Sequence, residues 1–347
     1  MKEMTTEELL KEIEENHNNS LFEEIFKRRD KELYRTALFY KGTKINYLTL
    51  KYNVIKYAKA LKAYGIKKGD EIPICMANTP EFIYLLGGIS LIGAKANIFG
   101  EGFDKEYITE IINGCNSDIL FATDDKYSVI DDSVKKSKNK RVVLISLTES
   151  LLNGKNPYIK LEKKWYDFKD RRNEIKDNSS RFMFSSEFLN LGKEYKGNYI
   201  EKVNLDDEFT ITYSSGSTNS SRPKAIVHDV KSYIVMGIYH DPKISKVPSM
   251  KNLRMLAHIP THSNTNIMSC ITDPLMQGSE IAVEPIYTPD HFVYSLLINK
   301  PSFVTATRSF FVRCANDILN NKKFKNVKMP FLLVPMIVGE PNSIGEE

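Results

Sequence analysis

The stretch from Leu50 to Phe99 constrains the fold of this chain more than any other. Leu50, Val54, Tyr57, Ala58 and Leu61 recur at helical spacing as one apolar stripe, and Gly65 supplies a stop. Gly69-Asp70 then turns the chain into a strand from Glu71 to Met76. Asn78-Thr79-Pro80 opens a second helix, with Thr79 as cap and Pro80 in the first turn, and the apolar run from Phe82 to Ala94 carries it into the strand around Lys95-Ala96-Asn97. Alternating helix and buried strand implies a mainly parallel sheet covered on both faces.

The alternation continues on both sides. Tyr107 to Leu120 reads as helix then strand, ending at Phe121-Ala122-Thr123-Asp124. Met255 to Ile259, Ile281 to Val283, Phe303 to Ala306 and Phe331 to Val338 read as strands. Helices are expected over Ile267 to Gly278, Pro289 to Asn299, and through Phe311 and Leu319. The expected class is α/β: two doubly wound, mostly parallel sheet subdomains with flanking helices, residues 1–200 and 201–347, with the boundary near 200. Ahead of them, residues from about 5 to 30 are helical, Ala37 to Tyr47 forms a hairpin through Lys41-Gly42, and Thr49 caps the next helix. Residues from about 147 to 200, with Trp165 and the polar run Lys176 to Arg181, read as a connection carrying one amphipathic helix near Ser185 to Leu191.

Composition excludes several function classes. The 49 basic and 44 acidic residues are spread through the chain, and this net charge of +5 is too even for a nucleic-acid binder. The one conspicuous basic cluster, Lys135 to Arg141, reads as a solvated helix end. Cys75, Cys115, Cys270 and Cys314 lie far apart with no CxxC pair, which argues against a metal site and for a reduced, cytoplasmic setting. Phe82 to Ala94 falls short of the roughly 20 apolar residues of a membrane span.

The chemistry centres on Tyr213 to Ala225, YSSGSTNSSRPKA. A strand-like Glu208 to Thr212 precedes it, and Ile226-Val227 leads on to a helix carrying Ile234, Val235 and Ile238. Strand, small-polar loop, lysine and helix together can hold phosphate, because small residues bring backbone N–H groups close and an ammonium neutralises charge. A solvated linker has the same composition. The Walker pattern is absent.

This loop resembles the phosphate loop of the adenylate-forming superfamily (acyl-CoA synthetases, peptide-synthetase adenylation domains, luciferases), usually written YTSGSTGxPKG. Tyr213, Ser215, Gly216, Ser217, Thr218, Pro223 and Lys224 match in order; Asn219 replaces a glycine, Ser220 and Ser221 are extra, and Ala225 replaces the last glycine. Asn tolerates positive φ best among non-glycine residues. Asn46 to Leu50, Gly65 to Glu81 and Leu91 to Ala96 resemble the superfamily's opening region, and Pro260 to Asn264 resembles its substrate-side PxxHxxG motif, with His262 one residue closer to the proline. Gly339-Glu340-Pro341 resembles its adenine-facing turn.

The resemblance implies ATP-dependent, AMP-forming activation of a carboxylic acid, then transfer to the thiol of CoA or a carrier protein. Ser214, Ser215, Gly216, Ser217, Thr218, Asn219 and Lys224 would hold phosphates, with Thr218 and Lys224 taking the catalytic roles and Thr218 also contacting Mg²⁺. Gly339, Glu340 and Pro341 would face adenine, and His262, Ser263 and Asn264 would line the acyl pocket. After Glu347 the superfamily would still supply the glutamate that helps hold Mg²⁺, a ribose-binding aspartate and a C-terminal lysine domain. The chain is therefore expected to be an N-terminal portion, poorly active alone. Two alternatives stay open. One is a non-catalytic nucleotide- or acyl-binding protein, or part of a split enzyme. The other is an amino-acid adenylation domain, for which Asn264, Asn266 and Asp273 are the nearest candidates and Asp273-Pro274 reads as a turn or helix break.

Overall fold

The computed structural model describes residues 8, 11, 13, 15, 19–137, 140–151, 181–214, 222–240, 249–285 and 287–338. Strands are numbered β1 (Thr36–Tyr40), β2 (Thr43–Asn46), β3 (Glu71–Cys75), β4 (Lys95–Ile98), β5 (Ile119–Thr123), β6 (Arg141–Ile145), β7 (Phe182–Phe184), β8 (Glu208–Tyr213), β9 (Ala225–Asp229), β10 (Arg254–Ala257), β11 (Glu280–Val283), β12 (Phe303–Ala306) and β13 (Val334–Ile337). They form two sheets, ordered β13-β12-β10-β11-β1-β2 and β7-β6-β5-β3-β4-β8-β9. Among the described residues, pairing is parallel throughout except at β1–β2 and β8–β9. The α/β class with two mostly parallel sheets stands.

The boundary placed near residue 200 does not coincide with a division between sheets. Each sheet takes strands from both sides of it: β1 pairs with β11, and β4 pairs with β8. Such long-range pairing leaves no trace in local periodicity, because a hydrophobic pattern specifies a strand but not its neighbour.

Local signals account for the central elements. Gly65 ends the Tyr47–Tyr64 helix at φ 107°, a left-handed geometry that only glycine adopts without strain. The helix cap differs from expectation: Asn46, not Thr49, is the N-cap, its side chain accepting from the Thr49 backbone N–H. Thr79 caps the Pro80–Ile92 helix as expected. This helix lies hard against its predecessor. A Cβ on Gly88 would come within 2.9 Å of the Ala58 backbone nitrogen, and one on Gly87 within 2.6 Å of Val54. The helices Ser185–Leu191 and Pro289–Asn299 fall where periodicity puts them.

Two readings are corrected. The segment after the small-polar loop returns first as β9, antiparallel to β8 with Thr212 opposite Ile226 and Ile211 opposite Val227, and only then becomes the Val230–Tyr239 helix. β-Branched Ile226 and Val227 favour extended backbone, and Asp229 caps the helix by accepting from Ser232 N–H. Lys140 is not solvated. It is buried, and its ammonium donates to the carbonyls of Cys115, at 2.7 Å, and Ser117.

The four cysteines are buried free thiols, and no described helix is long and apolar enough to cross a membrane. Leu9, Leu10, Trp165 and Lys176 lie outside the described residues.

Candidate functional site

Parallel strands direct their carboxyl ends to one edge, and the segments leaving those ends form the place where open α/β sheets bind ligands. Here the two sheets meet with such ends converging. A cavity of about 360 Å³ is lined by the segments after β3 (Met76 to Asn78), β4 (Phe99 to Gly102), β5 (Asp125, Lys126), β10 (Pro260 to His262) and β11 (Pro285, Tyr287, Thr288).

A polar relay knits the two sheets beneath this cavity. Asn78 Nδ2 donates to the Ile259 carbonyl at 2.8 Å, and Asn266 Nδ2 donates to Asn78 Oδ1 at 2.7 Å. Because a carbonyl can only accept, Asn78 must turn its NH₂ to Ile259 and its oxygen to Asn266, which fixes both amide orientations. Thr261 Oγ1 donates to the Met76 carbonyl at 2.6 Å, and Ala77 N–H to Thr123 Oγ1 at 3.1 Å. Asn266 opens a stretch of π-helix, Asn266–Thr272, a geometry frequent at functional sites.

The flanks of the small-polar loop sit against the same edge. Ser214 N–H donates to the Lys224 carbonyl and Lys224 N–H donates back to Ser214 Oγ, both at 2.9 Å. These paired bonds bring the two ends of the loop together at the carboxyl end of β8. Lys224 thus stands at the start of β9 rather than at a helix N-terminus. Tyr213 N–H donates to the His262 carbonyl at 3.3 Å, and its hydroxyl to Asn97 Oδ1 at 2.8 Å. Burial raises the Tyr213 phenol, against the Asn97 hydrogen bond, so it stays neutral. Tyr107 OH donates to the Pro223 carbonyl at 2.8 Å. Arg222 lies 5.5 Å over the Tyr107 ring and pairs with Glu110 at 2.8 Å.

Phe103 joins loop and cavity. Its ring stands edge-on to Tyr213 at 5.3 Å and to His262 at 5.4 Å. A Cβ on Gly100 would lie 2.9 Å from the His262 ring, so this turn of chain reaches the imidazole only as glycine. Burial lowers the His262 pKa, against the pull of Glu101, which keeps the ring neutral at pH 7.

Of the pocket residues expected from sequence, His262 lines the cavity. Ser263 N–H donates to Pro260, and Asn264 Oδ1 accepts from Tyr233 OH at 2.7 Å, within the fold rather than at the cavity wall. Ser214 and Lys224 are the loop's base. Ser215, Gly216, Ser217, Thr218 and Asn219, with Gly339, Glu340 and Pro341, lie outside the described residues. Asp273 is not a turn. It is buried within the Asp273–Gln277 helix and accepts at 2.6 Å from His240, whose pKa is raised chiefly by that hydrogen bond. Sequence reasoning missed Asn78, Asn97 and Phe103 as site residues, and offered Asn266 only as a pocket candidate of the amino-acid reading. Asn78 sat in view beside a helix cap, but its cross-sheet partner is 188 residues away.

The family model described as "AMP-binding enzyme" matches residues 26–344. The chain is 29% identical over 212 residues to a 3-hydroxypropionyl-coenzyme A synthetase of Sulfurisphaera tokodaii, covering 58% of this chain and 29% of that protein. It is 26% identical over 216 residues to an acetyl-coenzyme A synthetase of Methylocella silvestris, covering 58% and 30%. The matched stretch thus spans less than a third of the length of these two relatives. Among solved structures, the anthranilate CoA ligase AuaEII in complex with anthranoyl-AMP superposes with a TM-score of 0.70 at 14% identity, covering 90% of this chain and 54% of that one. A luciferase-like enzyme from the nonluminescent Zophobas morio mealworm gives 0.69 at 16% identity, covering 95% and 68%. These two likenesses concern the fold.

Proposed function

Because the chain belongs to the AMP-binding enzyme family, we propose that it carries the nucleotide- and acyl-binding half of an AMP-forming acid–thiol ligase. One observation carries this reading. The closed base of the Ser/Gly/Thr loop, Ser214 with Lys224, stands at a strand's carboxyl end beside a cavity walled by segments from both sheets.

In the proposed reaction a carboxylate oxygen of the acid attacks the α-phosphorus of ATP, and the bond to pyrophosphate breaks. The thiol sulfur of CoA, or of a carrier protein, then attacks the acyl carbon and AMP leaves. Such displacements depend on positioning and charge neutralisation. The loop's backbone N–H groups and Lys224 would bind the β- and γ-phosphates, and Thr218 would hold them and offer a hydroxyl to Mg²⁺. Mg²⁺, when bound, neutralises charge on the phosphates. The paired bonds at Ser214 and Lys224 fix where the loop leaves and rejoins the sheet. Phe103 and Gly100 hold the His262 ring beside the cavity, where a neutral imidazole can accept or donate one hydrogen bond. Gly339 to Pro341 would face adenine beyond β13. The amino-acid reading is disfavoured because Asp273 is already engaged by His240.

Isothermal titration of the purified chain with ATP and with AMP tests the loop. Thr218→Ala and Lys224→Ala should each weaken ATP binding by about 1–3 kcal/mol, the range for a lost charge-assisted bond. ATP affinity unchanged in both variants would reject the phosphate-loop role.

A further inference from the structure

The peptide unit that joins Pro223 to Lys224 is held at both ends. Its carbonyl accepts from Tyr107 OH at 2.8 Å, and its N–H donates to Ser214 Oγ at 2.9 Å. A peptide unit is planar, so two bonds of fixed direction orient it as a whole. Before it, the proline ring sets φ at about −65°. After it, the Lys224 carbonyl accepts from Ser214 N–H at 2.9 Å. The backbone of Lys224 is therefore fixed, and only its side-chain torsions remain to place the ammonium.

Tyr107 is the part of this arrangement that comes from elsewhere in the fold. It stands in the first turn of the Lys105–Gly114 helix, where the cap residue Asp104 accepts from its backbone N–H at 3.2 Å. Its ring is edge-on to Tyr213 at 6.1 Å, on the arm that enters the loop, while its hydroxyl reaches Pro223, on the arm that leaves. One side chain thus touches both arms. The Arg222 guanidinium lies 5.5 Å over the same ring, and Glu110, three residues along the helix, pairs with Arg222. That pair is half exposed and weak in water, which leaves the Tyr107 hydroxyl as the firmer hold.

We propose that Tyr107 is a positioning residue for phosphate binding: through the Pro223 carbonyl it aims the Lys224 ammonium at the β- and γ-phosphates of ATP. A cation whose backbone is already ordered binds more tightly, because less freedom is lost when the ligand arrives. Ser220 and Ser221 make the loop two residues longer than the superfamily's pattern, so the end that carries Lys224 gains from a hold of its own. The inference rests on the ligase reading, which gives Lys224 its phosphate role.

Tyr107→Phe keeps the ring and deletes the one donor. Titration calorimetry with ATP and with AMP tests the role on wild type, Tyr107→Phe, Lys224→Ala and the double variant. Tyr107→Phe should weaken ATP about fivefold, the ratio expected for one lost hydrogen bond. AMP lacks the β- and γ-phosphates and should bind this variant as it binds wild type, which also shows the variant folded. The double variant should bind ATP no more weakly than Lys224→Ala, because a hydroxyl that acts only through the ammonium then has nothing to aim. ATP and AMP weakened alike in Tyr107→Phe, ATP unchanged there, or losses that add in the double variant would overturn the positioning role. A loss in Lys224→Ala alone would still uphold the ligase reading. ATP unchanged in Lys224→Ala, or no ATP bound by wild type, would overturn the phosphate role of Lys224 and that of Tyr107 with it.

Discussion

Lys41→Met offers the sharpest test of how the six-stranded sheet is held. Lys41 sits in the β1–β2 turn at φ 46°, and its ammonium is 2.8 and 2.9 Å from the two oxygens of Glu284, at the end of β11. Both side chains are fully buried. Ser295 Oγ and Asn299 Nδ2 also donate to Glu284, at 3.0 and 3.2 Å. Removing one partner of a buried ion pair costs about 3–5 kcal/mol, because the remaining charge is left uncompensated. Ser295 and Asn299 still solvate the carboxylate, so the lower end, about 3 kcal/mol, is expected, which is about 4 °C in melting temperature for a chain of this size. Lys41→Met with Glu284→Gln removes both charges and should recover at least half of the deficit. Urea melts of the three proteins decide the matter. A deficit under about 1 kcal/mol, unrelieved in the double variant, would refute the argument.

Two further predictions concern the seven-stranded sheet and the junction between the sheets. Burial pushes the Glu81 carboxyl up to about 7, against its hydrogen bond from Ser150, and Oε2 has no hydrogen-bond partner among the described residues. Since the folded value exceeds the unfolded 4.5, stability should fall by about 3 kcal/mol as pH rises from about 4.5 through 7. Glu81→Gln should abolish that fall and be the more stable protein at pH 8. The wild-type-minus-variant difference removes the opposing contribution of His258, which burial lowers to about 4; a flat difference across the window would count against the assignment. At the relay, Asn78→Leu strands both the Ile259 carbonyl and Asn266 Nδ2, whereas Asn266→Leu strands only Asn78 Oδ1. At about 1–3 kcal/mol per stranded group, Asn78→Leu should be the costlier by urea titration, and the reverse order would undo the relay.

Much of the fold was written in the sequence wherever one residue type has one structural use. Gly65, Thr79-Pro80 and the Lys41-Gly42 turn act through backbone geometry that no distant contact overrides. The readings that failed depend on distant partners. Lys140 belongs by composition to a solvated charge run, but two carbonyls 25 and 23 residues away capture its ammonium. Asp273-Pro274 has the form of a helix break, yet proline is tolerated in a helix's first turn and His240 binds the aspartate. The site shows the same division. Ser214, Lys224 and His262 were visible as motif residues, but the reversal of the chain into β9 needed the pairing with β8 to be seen. The grouping of Glu101, Asp125 and Lys126 at the cavity could not be read at all, because these residues meet only where β4 and β5 end at the same edge.

The interleaving of strands explains why the site lies where it does. With β1 and β2 in one sheet and β8 and β9 in the other, neither sheet is completed by a continuous stretch of chain, and the crossings run past the edge where the parallel strands end. That edge carries buried polar groups that a purely structural junction could replace with apolar packing at little cost. Asn78, Asn266, Thr261 and Thr123 are all buried, and each spends its side chain on a carbonyl, a backbone N–H or another amide of a different segment. Although Asn266 Oδ1 has no partner among the described residues, the directional bonds of such a network fix one arrangement of its members. The spacing it fixes is that of the segments after β3 and β10, which are two walls of the cavity. A cavity held open by hydrogen bonds of defined direction is formed without a ligand, so binding at the proposed site would not have to reorganise the sheets.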